Sequence, residues 1–253
     1  INVPEGASWL TLEYCGNDLE HETIRPLLIN NSTAVLQVAR GVANGLAYLH
    51  DQGVVHRDLK GNNILTSANV TNPFEGVKIG DLGAAIMLSP DGGSYSDMNG
   101  IAYRGDKNDG RGSTRNRAPE TYQQMHAIAN GADHTQFYPD LPSTDMWALG
   151  CVLLEAYSGQ PVVQLLYATM PTEFREENQL DLEALADENG IVWYANQHCT
   201  GTDAKQAALK PVLETIQTMY LGDFDLQPRF DSIIEKHVDD PRVKDVISRL
   251  LII

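Results

Sequence analysis

Apolar residues recur along this chain with two different periods. Val35, Ala39, Val42, Leu46 and Leu49 fall three or four positions apart, the repeat of one helix face. The run Asn30-Asn31-Ser32-Thr33 ahead of them offers capping side chains and Gly53 behind them a stop, so a helix is predicted between these signals. SWLTLEY, residues 8–14, alternates instead and is rich in β-formers, which predicts a strand. Further short strands are predicted at Val54-Val55, at 63–66 and at 76–80.

Two later segments break both patterns. From Met146 to Tyr157 the chain is apolar on every side, the mark of a buried helix, with Ser143 or Thr144 as its expected cap. Residues 84–117 are rich in Gly, Ser and Asp, and the pattern predicts one long surface loop without secondary structure. Segment 172–190 carries seven acids and one base and reads as a solvated helix with its loop. Helices are also predicted over 204–221 and 241–252, the last opened by Asp240-Pro241. The order is a few strands early, then mostly helix.

Composition narrows the classes of function. With 253 residues and 42% apolar content, the chain can bury a real core. A formal charge of −16 argues against a nucleic-acid ligand, whose phosphates call for Lys and Arg. It suits a basic protein partner, and equally a surface that is acidic only for solubility. No apolar run is long enough to predict a membrane span. Cys15, Cys151 and Cys199 are widely spaced and lack a CxxC pair, which fits free thiols in a reducing compartment; His198-Cys199 alone is a poor zinc site.

The densest chemistry lies in VVHRDLKGNNIL, residues 54–65. Phosphoryl transfer needs an acceptor for the incoming hydroxyl's proton, ligands for a divalent metal and a cation for the moving phosphoryl. Asp58 suits the first role and Lys60 the last. Asn63 and Asp81 offer hard oxygen atoms of the kind Mg2+ prefers, although Asp81 close before a Gly also reads as a plain turn residue.

HRDLKGNN, then DLG, then APE at 118–120, then DMWALG, in that order, resembles the hinge and C-terminal lobe of eukaryotic-type protein serine/threonine kinases over residues 9–253. The resemblance implies an α+β, mainly helical fold, with residues 1–18 as the end of an N-lobe strand and hinge and 19–253 as the C-lobe. It implies an activation segment over 81–120, and insertions within 121–144 and 159–240 that are docking surfaces for a larger complex or padding of this lineage. By the same resemblance Asp58 is the catalytic base, Lys60 contacts the transferred phosphoryl, and Asn63 and Asp81 hold metal. Leu82 stands where the family carries an apolar plug. Arg57 couples activity to negative charge on the activation segment, where Asp106 and Asp109 lie near the usual phosphorylated position and Ser94, Ser96 and Thr114 are the competing sites. Ser113 is either a hydroxyl bridging Asp58 and Lys60 or an ordinary loop residue. Glu13 and Cys15 offer backbone to adenine and Leu65 lies under the ring. Asp18 is near the ribose or caps a helix, and Asp145 anchors the catalytic loop. Implied cofactors are ATP and Mg2+, and the implied partner is a protein substrate.

The family's glycine-rich loop and its strand lysine belong before the hinge and have no counterpart here, so the chain is expected to be a fragment of a longer kinase, inactive by itself. The alternative is a catalytically inactive, kinase-like scaffold or subunit. Free thiols make the cytoplasm the default compartment, while VKIGDLGAA is similar to thylakoid-associated plant and algal kinases, which keeps the chloroplast open.

Overall fold

A computed structural model describes residues 12–69, 71–88, 95–97, 116–130, 142–178 and 204–253. Its centre is α4 (Pro142–Ser158), buried from Trp147 through Tyr157. The helix already includes Pro142, so Ser143 and Thr144 lie inside its first turn, not ahead of it as the sequence suggested. Proline suits that opening turn, where the backbone N–H has no helical partner anyway.

Against α4 lies α2 (Ser32–Asp51), which turns Ala34, Val35, Val38, Ala39, Val42 and Leu46 inward. The Asn31 side chain caps it by accepting from the Ala34 N–H at 3.2 Å, and Gly53, at φ +70, ends it. A glycine inside a helix costs about 1 kcal/mol against alanine, and α2 carries one at position 45 for a packing reason. A Cβ there would lie 2.8 Å from Cδ1 of Ile79, so Gly45 lets the strand behind the helix come close.

The other helices are short or peripheral to this pair. They are α1 (Arg25–Leu28), α3 (Pro119–Ala129), α5 (Val162–Thr169), α6 (Thr172–Glu177), α7 (Ala204–Leu221), α8 (Leu226–His237) and α9 (Pro241–Leu250). α9 packs on α4 and is capped by Asp240, which accepts from the Arg242 N–H at 2.8 Å. The expected helices over 204–221 and 241–252 are thus present as α7 and α9, and the first six residues of 172–190 are helical as α6. The pattern missed α8, although Leu226, Phe230, Ile233 and Ile234 are its buried stripe. Among the described residues no helix is long and apolar enough to cross a membrane.

Among the described residues five short strands form two small sheets. β2 (Ile64–Leu65) pairs antiparallel with β3 (Lys78–Ile79), and the order of the other sheet is β1 (Val54–Val55), β4 (Ile86–Leu88), β5 (Tyr95–Asp97). Two expectations need correction. The stretch 84–117 is not free of secondary structure, because β4 and β5 lie in it. The apolar Ala85-Ile86 step buries itself against Val54-Val55, a partner some thirty residues upstream that local composition does not reveal. The predicted strand 8–14 is not seen in its described part: residues 12–14 pair with nothing, and Leu12 and Tyr14 are 75% and 87% exposed. Alternation makes a strand only where a neighbouring strand takes up its hydrogen bonds, and none among the described residues does. Residues 8–11 lie outside the described residues.

Tyr220 of α7 stacks on Tyr122 of α3, with ring centroids 4.7 Å apart and planes at 11°. Its hydroxyl is buried without a hydrogen-bond partner, and burial pushes the phenol well above its usual range. A buried polar group left unpaired costs roughly 1–3 kcal/mol. Tyr220→Phe keeps the stacking and removes that cost, so the variant is expected to be more stable by about 1 kcal/mol, read as a higher urea midpoint at unchanged slope.

Candidate active site

The loop after β1 is shaped by a carboxylate from another element. Asp145, in the first turn of α4 and 1% exposed, accepts the backbone N–H of His56 at Oδ2 and of Arg57 at Oδ1, both at 2.8 Å. Nε2 of His50, near the end of α2, is also 2.8 Å from Oδ2. Arg57 takes a left-handed backbone, φ +70, which a non-glycine residue adopts only when its surroundings hold it there. Two aligned N–H groups gripping one buried carboxylate provide that hold.

His56 is fully buried and extends the network. Its Nδ1 receives the Asp58 N–H at 3.2 Å, which leaves Nε2 to donate to the Gly80 carbonyl at 3.0 Å. The Gly80 N–H donates in turn to the Asn63 carbonyl at 2.8 Å. The residue before Asp81 is therefore tied to both ends of the loop that carries Asp58 and Asn63.

Within that loop the side chains converge. Nζ of Lys60 is 3.0 Å from Oδ2 of Asp58, and Nδ2 of Asn63 donates to the Asp58 carbonyl at 2.7 Å and to Oδ2 at 3.2 Å. The second carboxylate oxygen, Oδ1, is buried and accepts no hydrogen bond among the described residues. Buried acceptors without a partner are uncommon in folded proteins. Because Nδ2 makes both donations, the amide oxygen of Asn63 is free of these bonds. Asp81 is exposed and left-handed at φ 57, ψ 78, with its Oδ1 accepting from the Gly83 N–H at 3.1 Å. Nη1 of Arg57 reaches the Ala84 carbonyl at 3.5 Å, a contact between the loop and the segment after DLG.

The residues expected around a nucleotide base sit beside β2. Gly16 donates to Thr66, and Thr66 returns two bonds to the Asn17 carbonyl, from N–H at 2.8 Å and from Oγ1 at 2.7 Å. Asp18 bridges to Leu65, which is half-buried, and its Oδ1 accepts the Glu20 N–H at 2.9 Å. Asp18 thus caps a turn. Cys15 is a half-buried free thiol, and Glu13 points its exposed carboxylate toward Lys78, at 3.4 Å. Leu82 is 38% exposed. Ser113, Asp106, Asp109, Ser94 and Thr114 lie outside the described residues, as does Cys199; Ser96 falls on β5.

Sequence reasoning overlooked His50 and the bonds that join residues 16–19 to 61–66. No spacing rule links them, since each contact crosses forty or more positions of chain.

A family model described as the protein kinase domain matches residues 3–247, and the chain belongs to that family. It is of the eukaryotic type, with serine/threonine kinases among its relatives. Cytokinesis protein sepH of Emericella nidulans is 34% identical over 170 residues, 67% of this chain and 10% of sepH. Serine/threonine-protein kinase SSN3 of Chaetomium globosum is 34% identical over 166 residues, 64% of this chain and 27% of SSN3. The inactive serine/threonine-protein kinase PLK5 of Mus musculus is 30% identical over 153 residues, 60% of this chain and 21% of PLK5. The aligned stretch is thus a minor part of each relative's length.

Removing Asp145 tests the central contact. Asp145→Asn retains one acceptor oxygen for two buried N–H groups, and stranding one of them costs about 1–3 kcal/mol. The expected result is a urea midpoint lowered by that amount, with His50→Ala alone costing less. An unchanged midpoint in Asp145→Asn contradicts the account.

Proposed function

We propose that the full-length protein is a serine/threonine kinase that moves the γ-phosphoryl group of ATP to a hydroxyl of a protein substrate. The observation that carries this reading is the divided carboxylate of Asp58: Oδ2 is engaged by Lys60 and Asn63, while buried Oδ1 accepts nothing. Oδ1 takes the proton of the substrate hydroxyl as the oxygen–phosphorus bond forms. The bond from the γ-phosphorus to its bridging oxygen breaks, and ADP leaves. Lys60 meets the charge on the moving phosphoryl.

Mg2+ bound here supplies charge neutralisation between the phosphates. The donor set fits it: the Asn63 amide oxygen and the exposed Asp81 carboxylate are hard oxygen atoms. Among the described residues no three His, Cys, Asp or Glu side chains cluster to hold an ion by themselves. Glu13 and Cys15 present backbone to the adenine, Leu65 lies under it and Asp18 is placed for the ribose. Arg57 links the loop to the activation segment, and Ser113 is retained as a candidate bridge between Asp58 and Lys60. The acidity of the chain favours a basic substrate region.

A second reading, a kinase-like scaffold in a larger complex assembled through the segments within 121–144 and 159–240, draws on the 30% identity to a kinase named inactive. Catalysis separates the two. Asp58→Asn in the full-length protein is expected to lower kcat by several orders of magnitude at unchanged folding stability, because the lost interaction is strongest in the transition state. Phosphorylation near the wild-type rate in that variant sinks the kinase reading.

The family's glycine-rich phosphate loop, and the lysine it carries on a strand ahead of the hinge, have no counterpart in the 253 residues. Asn63 and Asp81 alone hold the metal–triphosphate weakly, and the −16 charge repels it at long range. Titration calorimetry of this fragment is therefore expected to show no Mg-ATP binding in the micromolar range. Micromolar affinity there overturns the idea that the missing parts grip the nucleotide.

A further inference from the structure

The geometry points to Glu20 as a positioning residue for the catalytic loop, an inference that rests on the kinase reading and extends it. It starts from Gly61, buried and three residues past Asp58. A Cβ built on Gly61 would lie 2.5 Å from Oε1 of Glu20 and 2.8 Å from its Cγ. The carboxylate of Glu20 occupies the space in which any other residue at position 61 would place its side chain.

Glu20 is itself held on two sides. Its N–H donates to Oδ1 of Asp18, and the N–H of Leu19 is shared between the carbonyls of Gly61 at 3.2 Å and Ile64 at 3.1 Å. Across from these, Nη1 of Arg25 is 3.8 Å from Oε2 of Glu20, and Nη2 donates to the Gly159 carbonyl at 3.1 Å. Gly159 directly follows α4, the helix whose first turn carries Asp145. One rigid helix thereby grips the loop twice: Asp145 holds it at His56-Arg57, and Gly159 holds it at Gly61 by way of Arg25 and Glu20.

Magnitudes decide how Glu20 acts. The Arg25 and Glu20 side chains are 44% and 23% exposed, so their ion pair alone is worth little. The constraint is steric, a carboxylate seated on glycine backbone. The cavity lined by Leu19, Glu20, Arg25, Gly61 and Glu155 measures about 10 Å³, room for a single water. It takes no substrate side chain, so Glu20 acts on the loop. Asp58 and Asn63 flank Gly61 in sequence, and a shift at Gly61 moves both.

A double-mutant cycle in the full-length protein tests this. Gly61→Ala drives Glu20 off its seat and is expected to lower kcat on the order of tenfold with KM for ATP and protein substrate kept, since small misplacements of reacting groups are costly. Glu20→Ala lowers kcat less. The pair Gly61→Ala/Glu20→Ala recovers to the level of Glu20→Ala, because the added methyl then has space. Glu20→Gln, of the same shape, keeps wild-type kcat. Additive losses in the double variant, or equal losses in Glu20→Gln and Glu20→Ala, overturn the proposal. Hydrogen exchange reports without turnover: Glu20→Ala is expected to speed exchange at the amides of Asn63 and Gly80 while melting temperature holds, and unchanged exchange also overturns it. Failure of the kinase reading appears separately, as activity that survives Asp58→Asn in the same assay.

Discussion

Everything at the active site depends on one buried carboxylate. Asp145 sits almost wholly out of water and would be costly there if left unpaired. Two backbone N–H groups and the His50 ring compensate it. The arrangement joins the first turn of α4, the last turn of α2 and the segment after β1 at a single point. It also sustains the left-handed Arg57, a conformation that would relax in a free loop. The hydrophobic packing of α2 on α4 and this polar contact are mutually dependent: the apolar faces bring His50 and Asp145 together, and the carboxylate fixes what the apolar faces alone would leave sliding.

From that point order passes outward by short steps. The His56 ring spans from the Asp58 N–H to the Gly80 carbonyl, and Gly80 returns to Asn63. A loop of eight residues and the turn at Asp81 become one body with few ways to distort. Within it Lys60 and Asn63 converge on one oxygen of Asp58 and leave the other unmatched. An unmatched buried acceptor lowers stability locally.

Elements with a strong period or unambiguous punctuation were legible in the sequence. The stripe and caps of α2, the wholly apolar α4 and the Asp240-Pro241 start of α9 follow from local rules. The order of the motifs marks Asp58, Lys60, Asn63 and Asp81 as candidates, and it points to the anchoring by Asp145 that the hydrogen bonds display. What escaped is non-local. β4 depends on Val54-Val55, His50 on a carboxylate 95 positions away, and Gly61 on the side chain of Glu20, some forty positions upstream. In α8 the stripe was present and went unread; Pro228 lies in its first turn, where proline is tolerated. The strand expected at 8–14 failed in its described part for the opposite reason: its pattern was right for pairing, and no described residue pairs with it.

The backbone of Asp81 has a consequence for how such a protein changes over generations. At φ 57 the position suits Gly, Asn and Asp, whereas β-branched residues meet severe clashes there. The residues that fit the turn and the residues that offer a hard oxygen overlap only partly. A lineage under no demand for catalysis can drift to Gly and keep the turn, or to Asn and keep one neutral oxygen, without disturbing the loop behind it. Drift to Val or Ile removes the turn as well as the carboxylate. The conformational requirement thus restricts position 81 independently of any chemistry at its side chain.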